Sequence, residues 1–111
     1  MISYRTKPLE ERTNFAKSVL KKYAGRFPLI VESTNKDLPP VHKFIIPDDL
    51  TVGNLLIVIR KRIKLEPSEA IYIFFKNNIV NSSTLLTEVY HKYKDDDGIL
   101  YANYSKENTF G

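Results

Sequence analysis

The clearest candidate for chemistry in the sequence is Gly111, preceded by the polar stretch Ser105-Lys106-Glu107-Asn108-Thr109 and by Phe110. A glycine carboxylate at the end of an acyl donor has no side chain to obstruct adenylation, thioester transfer or amine attack. A polar approach lets that carboxylate enter an enzyme while the folded body stays outside. Other constellations are weaker. There is no Cys, so the chain has no thiolate metal site, no disulfide and no cysteine nucleophile of its own. His42 and His91 lie far apart with no metal-ligand spacing around either. Asp95-Asp96-Asp97 lacks the alternating oxygen ligands of a calcium loop and reads as a solvated turn. No glycine-rich phosphate loop and no nucleophile–base arrangement is present, so the sequence predicts a protein that is not an enzyme and carries neither cofactor nor metal.

Arg60-Lys61-Arg62-Ile63-Lys64 fits two readings. Positive charge stabilises the end of a helix, and the same cluster suits an acidic protein, phospholipid or RNA. Charge is uneven along the chain: residues 1–65 hold 13 Lys/Arg against 6 Asp/Glu, and residues 66–111 hold 4 against 7. That asymmetry favours acidic partners on one side of the molecule. The aromatic residues follow helix or strand periodicity, which predicts core burial before base stacking, so no nucleic-acid partner is expected.

The elements that must carry these residues follow from pattern. The length of 111 residues allows one domain. No apolar run approaches the roughly 18–20 residues of a membrane span, and the first residues do not form a signal peptide, so a cytoplasmic chain is expected. Pro8 and Glu10-Glu11 open a helix over 9–23, with Phe15, Val19 and Tyr23 on one face and Ala24-Gly25 ending it. Strands are predicted at 27–31 and 43–46, with Pro28 arguing against full pairing at its own position. Residues 33–41 have a loop composition. Asp48 or Asp49 is expected to cap a helix bearing Val52, Leu55, Leu56, Ile59 and Ile63. A strand over 70–75, a turn at Asn77-Asn78 and a short returning strand at Ile79-Val80 follow. Thr84 is expected to cap a helix through Tyr93, and a final strand runs from Ile99 to Tyr104. The order helix, then β-β-α-β-β-α-β, predicts an α+β β-grasp fold, with a ferredoxin-like fold as the competitor.

Three internal segments sharpen the reading of the tail. Residues 26–32 (Arg-Phe-Pro-Leu-Ile-Val-Glu), residues 47–63 (Pro-Asp-Asp-Leu-Thr-Val-Gly-Asn-Leu-Leu-Ile-Val-Ile-Arg-Lys-Arg-Ile) and residues 97–101 (Asp-Gly-Ile-Leu-Tyr) closely resemble the GABARAP-like ubiquitin-like autophagy modifiers. The ending from Tyr104 to Gly111 does so too, and the resemblance extends from Leu9 onward. It implies a ubiquitin-like β-grasp core at 25–104, an N-terminal helical extension at 1–24 and a C-terminal conjugation tail at 105–111. It also implies conjugation of Gly111 to phosphatidylethanolamine by E1-like activating and E2-like conjugating enzymes, with Phe110 as the aromatic residue of the recognised tail. A cysteine protease for delipidation, action in autophagosome formation and residence on the autophagosomal membrane after conjugation belong to the same expectation.

The resemblance further implies capture of cargo receptors and adaptors through aromatic-x-x-aliphatic peptides. Val19, Pro28, Ile30, Lys43, Ile45 and Ile99 would form the first pocket. Phe44, Ile46, Pro47, Leu50, Leu55 and Val58 would form the second, with Arg26 and Arg60 as possible charged contacts. An extended peptide paired with an exposed strand, its alternate side chains entering apolar pockets, is the physical mode. Two departures from the family pattern stand out: Phe15 where relatives often place an acid beside the first pocket, and Leu55 for a frequent aromatic residue in the second. The alternative functions are a ubiquitin-like protein-binding module that is not conjugated and, from the basic cluster, an RNA-binding domain.

Overall fold

The structure, a computed structural model, describes residues 3–33 and 41–106. A short 3-10 helix at Tyr4–Thr6 precedes α1 (Leu9–Lys22), β1 (Arg26–Ser33), β2 (Val41–Pro47), α2 (Val52–Ile63), β3 (Tyr72–Phe74), α3 (Leu86–Tyr93) and β4 (Leu100–Ser105). The strands form one mixed sheet in the order β2-β1-β4-β3. β1 pairs antiparallel with β2 and parallel with β4, while β3 pairs antiparallel with β4. This is the α+β β-grasp arrangement. Among the described residues no helix is long and apolar enough to cross a membrane.

Local chemistry explains the element ends. Glu10 and Glu11 lie in the first turn of α1 and Lys21 and Lys22 in its last, both favourable to the helix dipole. Gly25, at φ +74°, turns the chain from α1 into β1. Pro28 faces Ile45 on β2, but pairing with β4 begins only at Leu29. The missing proline N–H therefore falls where β1 has a single neighbour, although the strand lies inside the sheet.

Three local expectations change. The cap of α2 is Thr51, not Asp48 or Asp49. Its hydroxyl accepts from the Asn54 N–H at 3.1 Å while the Asn54 side-chain oxygen accepts from the Thr51 N–H at 3.0 Å, a reciprocal capping box. α3 begins after Leu85 without a side-chain cap. Thr84 gives its carbonyl instead to the Val52 N–H at 3.0 Å, tying this segment to the start of α2. The expected strand at Ile79-Val80 does not form: Lys76 and Asn77 adopt positive φ, and the hairpin closes with one bridge between Phe75 and Asn78.

Strand alternation divides the interior into two clusters. On one face of the sheet, α2 and α3 bury Val52, Leu55, Ile59, Leu86, Val89 and Tyr90 against Phe27, Leu29, Val31, Phe44, Ile46 and Tyr104. On the other, Tyr4 of the 3-10 helix and Ala16 of α1 pack with Ile30, Ile99 and Tyr101, and Phe15 and Val41 close its margin.

A polar clamp fastens the second cluster. The Asp97 carboxylate is buried, not solvated as its run of acids suggests. It accepts from the Ile99 N–H at 2.9 Å, the Tyr101 hydroxyl at 2.5 Å and the Arg12 guanidinium at 2.8 Å. Burial, then the bond to Asp97, pushes the Tyr101 hydroxyl pKa well up. Gly98 combines φ +84° with close approach to α1, since a Cβ there would lie 3.1 Å from that of Ala16. Glu32, also buried, accepts from the Tyr4 N–H at 2.9 Å and the Ser3 hydroxyl at 3.2 Å, holding the first described residues to β1.

Candidate functional site

β2 is the terminal strand of the sheet, with β1 on one side and no strand on the other among the described residues. Its period-two alternation sends side chains to both faces. Lys43 and Ile45 stand opposite Ile30 and Pro28 and share their face, while Phe44 and Ile46 stand opposite Leu29 and Phe27 on the other. The β2 residues expected for the two pockets therefore fall on opposite faces of one open edge, except Pro47, which by alternation shares the face of Lys43 and Ile45.

On the first side Lys43 is exposed and Ile45 is 36% exposed, whereas Val19, Pro28, Ile30 and Ile99 are buried. Ile30 and Ile99 pack in one apolar cluster with Tyr4, Ala16 and Tyr101, and Lys43 and Ile45 are the exposed members of the set. The Lys43 ammonium lies 4.3 Å from the centre of the Phe15 ring and 5.5 Å from that of Tyr4. These aromatic faces hold the cation beside the strand.

The second side is more closed. Phe44 and Ile46 are buried and Leu55 is fully buried in the main core, Leu50 and Val58 are half-buried against it, and Pro47 is half-buried at the end of β2. The Arg62 guanidinium lies 4.7 Å from the centre of the Phe44 ring and covers it. His42, beside Phe44, has a buried Nε2 with no hydrogen-bond partner among the described residues. Burial, then the Arg62 charge, lowers its pKa.

The charged positions are engaged locally. Arg26 donates to the Ile45 carbonyl at 3.1 Å, bracing the edge strand, and Arg60 donates to the Glu66 carbonyl at 3.1 Å beyond the end of α2. Beyond β4, Lys106 pairs with Glu69 at 2.8 Å. Phe110 and Gly111 lie outside the described residues. Asp97, Glu32 and Tyr4 escaped the sequence reading as positioning residues for this face, because their partners are remote in sequence.

The pattern for the family described as "Autophagy protein Atg8 ubiquitin like" matches residues 11–111. The chain belongs to the Atg8 family. It is 47% identical over 107 residues to autophagy-related protein 8d of Arabidopsis thaliana, covering 94% of this chain and 89% of the relative. Autophagy-related protein 8A of Oryza sativa subsp. indica is 46% identical over 94% of this chain and 90% of its own length. Autophagy-related protein 8 of Coccidioides immitis is also 46% identical, over 94% of this chain and 92% of its own length. The crystal structure of Trypanosoma brucei ATG8 superposes with a TM-score of 0.88 at 37% identity, covering both chains fully. Membership in the Atg8 family makes the chain an autophagy-related ubiquitin-like protein, and the fold agrees with that of a solved Atg8.

Proposed function

We propose that this Atg8-family chain is a modifier joined through Gly111 to phosphatidylethanolamine, acting in autophagosome formation and in recruitment of cargo receptors. The family match running through residue 111 is the observation that carries this reading. An E1-like enzyme would adenylate the Gly111 carboxylate with ATP, releasing pyrophosphate. A partner thiolate then displaces AMP, and the thioester passes to a cysteine of an E2-like enzyme. Attack by the lipid amine forms an amide and releases that thiol. The thiols must come from the partners, because this chain has no Cys. A cysteine protease would reverse the bond by hydrolysis. The protein would move between the cytoplasm and the autophagosomal membrane, where a two-chain lipid anchors more firmly than a single acyl chain.

Peptide capture fits the open β2 edge. An aromatic-x-x-aliphatic segment would add a strand beside β2, placing its aromatic residue over Pro28, Ile30 and Ile45 and its aliphatic residue near Phe44, Pro47, Leu50 and Val58. Phe110 would guide the tail into the conjugating enzymes, and Lys43 would favour acidic residues flanking the peptide core.

The direct test of the conjugation route is to incubate the chain with ATP and with the E1-like and E2-like enzymes of a relative. A thiol-sensitive adduct on the E2-like enzyme is expected. Its absence, when the relative's own modifier loads under the same conditions, would favour the protein-binding module that is not conjugated.

A further inference from the structure

We propose that Phe15 makes the first pocket selective for a ligand anchor with no polar atom on its ring, so that phenylalanine is preferred to tyrosine and tryptophan. This rests on the peptide-binding reading of the β2 edge. Phe15 borders the same place as the pocket residues: it packs on the cluster containing Ile30 and Ile99, and its ring lies 4.3 Å from the Lys43 ammonium. Val19 follows one helical turn later on α1. The wall that α1 presents at the mouth is thus an aromatic ring, not an acceptor.

Four carboxylates near this side of the sheet already hold partners. The Glu11 carboxylate pairs with Lys7 at 3.3 Å. Glu32 holds the Tyr4 N–H and the Ser3 hydroxyl. Asp95 pairs with Arg5 at 3.2 Å, and Asp97 carries the Ile99, Tyr101 and Arg12 donors. Asn14 and Ser18 line a separate groove with Lys17, Lys21 and Lys22. The side chains shown against the Ile30 and Ile99 cluster at this edge are the Phe15 and Tyr4 rings, with the Lys43 ammonium over both.

A phenol O–H or an indole N–H buried here gives up water without gaining an acceptor. The Lys43 ammonium, itself a donor, cannot serve an indole N–H. A phenylalanine ring loses no hydrogen bond on entry and adds a third aromatic face near the cation. An apolar pocket rejects an added hydroxyl by at most about a hundredfold. We therefore expect about tenfold tighter binding of a phenylalanine anchor than of its tyrosine counterpart.

The test is calorimetric titration of the whole chain with four peptides identical except at the anchor: phenylalanine, tyrosine, tryptophan and tryptophan methylated at the indole nitrogen. The unmodified chain should bind the phenylalanine peptide about tenfold more tightly than the tyrosine one. It should gain nothing from a free indole N–H over the methylated form. In Phe15→Glu, which supplies an acceptor, tryptophan should gain about tenfold over its methylated form, while Phe15→Leu should leave that ratio where it was. Circular dichroism checks folding, and Phe15→Gln offers a neutral acceptor should the charged one disturb the Tyr4 contact. A tyrosine peptide binding the unmodified chain as tightly as phenylalanine overturns the inference without reference to any variant. Failure of all four peptides to bind overturns the peptide-binding reading and this inference with it.

Discussion

Arg12 of α1 and Asp97 before β4 meet at 2.8 Å, with the carboxylate fully buried and the guanidinium side chain only 16% exposed. This pair holds the first helix to the sheet, and it also binds together the Tyr101 hydroxyl and the Ile99 N–H. Asp97→Ala would leave all three donors without their acceptor. Because removal of one partner from a buried pair strands the other, a loss of about 3–5 kcal/mol is expected. Arg12→Ala should cost somewhat less, since Asp97 retains two donors. Urea unfolding measures both, with a lower midpoint at an unchanged slope. A midpoint for Asp97→Ala equal to that of the unmodified chain would contradict the clamp.

His42 supplies a pH signature. Its pKa lies below the usual value of about 6.5 because burial, and then the Arg62 charge, disfavour the imidazolium. As pH falls, the unfolded chain takes up this proton before the folded one. The His42 contribution is thus fully present above about pH 6.5 and is lost as pH falls toward the folded-state value. His42→Leu should show a shallower loss of stability than the unmodified chain between about pH 7.5 and about pH 5.5. Parallel loss in the two chains would show that His42 does not titrate differently on folding.

Ile45 tests the edge-strand site. The side chain is 36% exposed, so Ile45→Asp should leave the sheet largely intact while placing a charge at the proposed peptide site. Loss of the apolar contact is worth about 1.5–3 kcal/mol, which lowers affinity for an aromatic-x-x-aliphatic peptide by about ten- to a hundredfold. Circular dichroism alongside titration separates folding from binding. Unchanged affinity in a folded variant would remove Ile45 from the site.

Lys43→Glu should act more weakly, because an exposed ion pair adds about 0–1 kcal/mol. Its effect should be largest for peptides with acidic flanks and should shrink as salt is added. Equal loss for neutral and acidic peptides, insensitive to salt, would point instead to the contact of the Lys43 stem with Phe15.

Periodicity made the scaffold legible where side chains repeat along one element. Val52, Leu55 and Ile59 mark α2, and Phe44 and Ile46 alternate with Lys43 and Ile45 on β2. It could not reveal what depends on distant partners. Asp97 reads as one of three solvated acids until folding brings Arg12 and Tyr101 to it, and Thr84 reads as a cap until Val52 takes its carbonyl. Ile79 and Val80 have strand composition, yet the tight turn at Lys76 and Asn77 ends pairing before them. The pocket residues came from the family resemblance, since alternation says which face a residue occupies and not whether a ligand reaches it. The split between buried Ile30, Ile99 and Leu55 and exposed Lys43 became visible only with the packing around them.

Conjugation through Gly111 is read directly from the intact mass of the protein after reaction. The full-length chain and one lacking Gly111 are each incubated with E1-like and E2-like enzymes, ATP and phosphatidylethanolamine liposomes. Deletion removes one residue six positions after the end of β4 in sequence, so both chains should keep the same circular dichroism and peptide affinity. The full-length chain should gain the mass of the lipid less one water. The deleted chain, ending in Phe110 whose Cβ and ring crowd the carbonyl, should gain nothing. Equal lipidation of the two would refute Gly111 as the acyl donor, and an unchanged full-length mass beside a relative that is lipidated would contradict conjugation itself.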